Sequence, residues 1–115
     1  MSNGGGDDSL LDLFTEEVRN NVQTLAEGLV GLEQDPANAT LIEPLMRAAL
    51  SIKGAARVVN VDPADKLAHA LEECLVRAQD GLILLSAEGI DVLLGGTDML
   101  GSMGEAVGPD LPQWL

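Results

Sequence analysis

The chain has little of what reactive or nucleic-acid-binding sites are usually built from. One phenylalanine, one tryptophan and no tyrosine occur in 115 residues, too few for a base-stacking surface or an aromatic ligand pocket. The single cysteine, Cys74, excludes an internal disulfide and a cysteine-based zinc site. One histidine, His69, leaves most metal-ligand sets and catalytic triads short of parts. Cations are also scarce: six Lys and Arg stand against nineteen Asp and Glu, a formal net charge of −13. Binding to a phosphate backbone or an anionic membrane needs clustered positive charge, so both are disfavoured. No apolar run approaches the ~20 residues of a membrane span, and no signal peptide opens the chain. What is abundant is apolar content, 46% of all residues, enough to bury a core and exclude a disordered acidic tail. These features imply a small, acidic, cytoplasmic, all-α domain, monomeric in isolation, without metal or cofactor.

Residues 1–8 are Gly-rich and acidic and are expected to be a disordered N-terminus. Ser9 reads as a helix cap with Asp12 three residues on. Leu11, Phe14, Val18, Val22, Leu25, Leu29 and Leu32 then recur every three or four residues, which predicts an amphipathic helix to about Glu33, ended by Asp35-Pro36. Asn38 or Thr40 can cap a second helix running to about Val59, with Leu41, Leu45, Ala48, Ile52, Ala55 and Val59 as its buried stripe. Asp62 followed by Pro63 predicts the start of a third, carrying Leu67, Ala70, Leu71, Cys74 and Ala78 inward and stopped by Asp80-Gly81. Ser86 caps a fourth through Ile90, Leu93, Leu94, Thr97 and Leu100, weakened by Gly95-Gly96. Residues 105–115, with two prolines and no period, read as a tail or linker. Short connections between four helices predict an antiparallel up-and-down bundle over residues 9–104.

The second and third helices carry the chemistry. At about 100° per residue, Leu50 falls about 180° from the predicted core stripe of its helix. Met46, Arg47, Lys53, Gly54 and Arg57 share its face, basic in an otherwise acidic chain, and Gly54 removes a side chain where a partner could approach. On the third helix His69 precedes Glu72 and Glu73 at i+3 and i+4, as either a solvated His–Glu pair or an imidazole polarised by carboxylates. A metal or acid/base site built from Asp65, His69, Glu72 and Glu73 would need carboxylates from several facing helices and Glu-x-x-His elements, and the order here is His-x-x-Glu, once.

The stretch Arg47-Ala48-Ala49-Leu50-Ser51-Ile52-Lys53-Gly54, with Ala68-His69-Ala70-Leu71-Glu72, resembles the histidine-phosphotransfer (HPt) domain of chemotaxis-type (CheA-like) hybrid sensor kinases, most closely the surface-sensing (Wsp-like) branch that controls a diguanylate cyclase. The resemblance extends over about residues 9–104 and implies a four-helix phosphocarrier, not an enzyme, docking a response-regulator receiver and the kinase's ATP-binding domain. It departs at one place: Leu50 stands where the family has its phospho-accepting histidine. By the same resemblance Glu72 is the carboxylate that would hold that ring, Lys53 the cation beside the phosphoryl oxygens and His69 an accessory ring. Met46, Arg47, Gly54 and Arg57 would form the docking surface. Leucine has no lone pair to attack phosphorus, so phosphorylation at residue 50 is not expected, whether the substitution is natural or engineered. The alternative is a non-catalytic regulator that sequesters a receiver or inhibits a kinase.

Overall fold

Four helices account for most of residues 4–106, the part of the chain that the computed structural model describes, with side chains from residue 9 onward. They are α1 (Gly4–Gln34), α2 (Ala39–Val58), α3 (Asp62–Gln79) and α4 (Ala87–Ala106). The expected Ser9 cap is therefore inside α1, which reaches back to Gly4. Extending a packed helix costs little once its nucleus exists, since each added residue brings a hydrogen bond. Glu105 and Ala106, expected in the tail, close α4. Residues 1–3 of the expected N-terminal segment and 107–115 of the tail lie outside the described residues.

The connections are tight and each has a local cause. Asn38 caps α2, its side chain accepting from the Thr40 N–H at 3.0 Å. α2 ends where Asn60 takes a left-handed backbone, φ +60°. The Asn60 N–H then donates to the Arg57 carbonyl and the Val61 N–H to the Ala56 carbonyl, the paired bonds that close a helix through such a residue. α3 ends the same way at Gly81, φ +77°. One expectation fails by a residue: Val61, not Asp62, occupies the N-cap of α3, so Pro63 sits second in the helix rather than first. Ser86 does cap α4, its hydroxyl accepting from the Gly89 N–H at 3.0 Å.

Neighbouring helices run antiparallel. Thr15 near the start of α1 donates to the carbonyl of Gly104 near the end of α4, and Arg57 late in α2 meets Asp65 early in α3. Each helix packs against its two neighbours in a closed ring, and neither diagonal pair brings Cα atoms within 8 Å of each other among the described residues. This is the all-α bundle the spacing predicts. Inside it lie Phe14, Val18, Leu25, Leu29, Leu32, Ile42, Leu45, Ile52, Leu71, Leu75, Ile90 and Leu100. Thr97 is buried among them with its hydroxyl donating to the Leu93 carbonyl at 2.8 Å.

The buried faces of α2 and α3 are rotated from the expected ones. In α2 the interior residues are Ile42, Leu45, Ala48, Ala49, Ile52 and Ala56, with Leu41, Ala55 and Val59 only partly covered. In α3 they are Ala64, Ala68, Leu71 and Leu75, while Ala70 is exposed and Leu67, Cys74 and Ala78 lie on the flank. The reason is close packing. Small alanines line the α2–α3 contact and let the backbones approach, pushing larger flanking side chains to the edge.

Candidate functional site

The site is an arc on α2 with one edge against α3. Taking Leu50 as zero and advancing about 100° per residue, Arg57, Met46 and Gly54 fall within about 40° of it. Lys53 lies at about 60° on one side and Arg47 at about 60° on the other. The observed core stripe centres about 130° from Leu50 rather than opposite it, on the Lys53 side. Leu50 accordingly remains 48% exposed, whereas Lys53, between it and the core, keeps only 15% of its side chain in solvent. A Cβ built on Gly54 would meet nothing within 4 Å, so the space beside residue 50 is open.

Across the seam α3 supplies the acids. The Lys53 Nζ donates to Glu72 Oε1 at 2.6 Å, with Glu72 itself 21% exposed. Such a charge-assisted contact is short and strong, and partial burial shields it from solvent screening. It carries the Glu72 carboxylate to the edge of the arc that holds residue 50. His69 is half exposed on the outer side of α3, its Nδ1 3.9 Å from Glu72 Oε1 and its Nε2 3.7 Å from Glu73 Oε1. Both distances exceed a hydrogen bond. Lys53, His69, Glu72 and Glu73 thus lie near one another across two helices, with Lys53–Glu72 the one hydrogen-bonded pair among them.

Arg57 belongs to a second pair that the sequence reading did not foresee. Its Nε donates to both carboxylate oxygens of Asp65, at 3.2 and 3.1 Å. The Arg57 side chain remains 62% exposed, and its other guanidinium nitrogens can make further bonds. The i-to-i+8 separation across a left-handed turn is what hid the pairing. Arg47 is exposed and makes no ion pair among the described residues.

One other residue of the sequence reading finds its place. Cys74 is half-buried rather than fully enclosed. Burial pushes its thiol above the ordinary value, with Arg77 pulling weakly the other way, so little of it is the nucleophilic thiolate. Among the described residues no group of three or more His, Cys, Asp or Glu is placed to hold a metal ion. No helix among them is long and apolar enough to cross a membrane.

The Hpt domain family matches residues 9–104, and the chain belongs to that family, whose members carry phosphoryl groups and are not catalytic on their own. The CheA phosphotransferase domain from Thermotoga maritima is 30% identical and superposes with a TM-score of 0.79, over 83% of this chain and 90% of that one. The phosphorylated P1 domain of CheA3, solved in complex with CheY6 from R. sphaeroides, shares the fold at a TM-score of 0.78, with 24% identity over 85% of this chain and 77% of that one. The chemotaxis protein CheA of Borreliella burgdorferi is 30% identical over 96 residues, 84% of this chain. The chain spans 11% of that relative's length.

Proposed function

We propose that this domain is the HPt module of a chemotaxis-type hybrid sensor kinase of the surface-sensing branch, cytoplasmic, docking a receiver and the kinase's ATP-binding domain, and blocked for phosphate transfer because Leu50 occupies the acceptor position. One observation carries the reading: the Lys53–Glu72 pair, at 2.6 Å, stands beside an exposed residue 50 with open space over Gly54. A histidine there would attack the γ-phosphorus in line, forming the N–P bond as ADP departs. Glu72 would accept from the ring's other N–H and raise its nucleophilicity. Lys53 would face the charge on the transferring oxygens. Leucine fills similar volume without a lone pair, so the surface is kept and the transfer step is lost. The partner assignment is supported by the R. sphaeroides neighbour, whose own P1 domain was solved with CheY6.

The test is restoration. Leu50→His is expected to take radiolabel from ATP in the presence of the kinase's ATP-binding domain and to pass it to a receiver, while the present sequence takes none. Leu50→His with Glu72→Gln should label more slowly, and Leu50→His with His69→Ala should still label. Label on the unaltered chain would overturn the assignment and point to His69. Receiver binding by both forms, with label on neither, would favour a sequestering regulator, a role to which an exposed apolar Leu50 amid basic side chains is suited.

A further inference from the structure

Away from the α2 arc, α4 turns to solvent a face patterned like its buried one. The interior seam is Ile90, Leu93, Thr97, Leu100 and Gly104, spaced alternately by three and four residues. The same spacing recurs two residues on, in Val92, Gly95, Met99, Ser102 and Ala106. At about 100° per residue these fall within about 80° of one another, on the side away from the core. Val92 is 73% and Met99 54% exposed, and no element among the described residues covers them. Met99, Ser102 and Ala106, with Met103 and with Pro63 of α3, line an open apolar groove of about 440 Å³. We propose that this face docks a basic amphipathic helix of another protein, packed along α4 in coiled-coil fashion.

Spacing, shape and charge converge on that occupant. An apolar seam with alternating spacings of three and four is what one helix offers another for interlocking side chains, and this one runs for about 21 Å. A Cβ on Gly95, near its midline, would meet nothing within 4 Å. Glycine there costs helix stability and serves no contact inside the bundle, whereas it lets a second backbone come close. Met99 and Met103 adapt to irregular partner side chains. The charge is one-sided: α4 holds Glu88, Asp91, Asp98 and Glu105 and no Lys or Arg. Asp91, Asp98 and Glu105 recur every seven residues along the edge of the seam toward α1, where Asp98 and Glu105 neighbour Val22. Glu105 pairs with Arg19, but Asp91 and Asp98 make no ion pair among the described residues. A second copy of this chain would set acid against acid, at a net charge of −13 on each. A helix with Lys or Arg along its facing edge answers those acids and is steered toward them. The inference does not rest on residue 50. Because α2 and α4 are diagonal in the ring, a helix on α4 leaves the Leu50 arc open to a receiver at the same time.

The test uses the intact 115-residue chain and a synthetic three-heptad helical peptide with Leu and Ala at its seam positions and Lys along its edges. Calorimetry should show one-to-one binding, and amide resonances should shift along α4 and its rim while those around Leu50 stay in place. Asp91→Lys with Asp98→Lys, both at exposed positions that should leave the helical circular dichroism unchanged, should weaken binding at least tenfold. A Glu-edged version of the peptide, inert toward the unaltered chain, should bind that variant. Equal binding of a scrambled peptide of the same composition would overturn the proposal, since net charge alone would then account for it. So would shifts centred on α2, unchanged affinity after the charge reversal, or no binding. Dimerisation in sedimentation that Met99→Lys abolishes would overturn it as well, by assigning the face to a second copy.

Discussion

The α2–α3 seam and the α1–α4 seam are both bridged by an ion pair, and they use it differently. Arg19 and Glu105 meet at 2.9 Å across α1 and α4 with 58% and 60% of their side chains in water. Lys53 and Glu72 meet at 2.6 Å across α2 and α3 with 15% and 21% exposed. What holds α1 to α4 is α1 side chains seated on the α4 backbone: a Cβ on Gly104 would lie 2.7 Å from Val18 Cγ1, and the Thr15 hydroxyl donates to the Gly104 carbonyl at 2.8 Å. The α1–α4 seam is closed by shape and leaves its charges in solvent. The α2–α3 seam holds charge in partial burial, where desolvation costs free energy and removing one partner strands the other. That cost fits the role proposed for the pair.

Four substitutions would break or sharpen that contrast. The largest effect is expected from Gly104→Val, which drives a branched side chain into Val18 and should cost about 2 kcal/mol, lowering the thermal midpoint by roughly 10 °C. Glu72→Ala should cost about 1–2 kcal/mol in denaturant melts, between the values for buried and exposed pairs, and should abolish rate enhancement in the Leu50→His background. Gly95→Ala lies on the same helix as Gly104, yet its Cβ would meet nothing within 4 Å. It should stabilise by about 0.5–1 kcal/mol through helix propensity alone. Smallest is Glu105→Gln, expected to change stability by less than about 0.5 kcal/mol, an effect that added salt should erase. A cost for Glu105→Gln equal to that for Glu72→Ala would remove the distinction between the seams.

Gly54→Ala separates stability from docking in the same way. The added methyl has room and should stabilise the helix by about 1 kcal/mol, while weakening receiver binding measured by calorimetry. Unchanged affinity would mean that no partner approaches there.

Much of this was legible because the relevant residues carry strong local signals. Leucine and isoleucine periodicity gave four helices, and the Lys53-Gly54 and His69-x-x-Glu72 elements sat on the two that adjoin. The rotation of the buried faces was not legible, since Ala49, Ala56, Ala64 and Ala68 look neutral in sequence and are interior only because two backbones come close. Nor was the Arg57–Asp65 pair, which depends on the left-handed conformation at Asn60. Pro44 lies inside α2 in spite of its missing N–H, a placement that sequence rules disfavour; its exposure near the helix start limits the damage.

The turn at Asn60 also fixes how tolerant the domain is of changes in chain length. An inserted or deleted residue between α2 and α3 would turn α3 by about 100° about its axis if the helix stayed seated. Glu72 would then face away from Lys53 even though every residue of the cluster were still present. The three-residue connection therefore acts as the phase setting of the pair, and length variation should be borne elsewhere, as in the longer α3–α4 link.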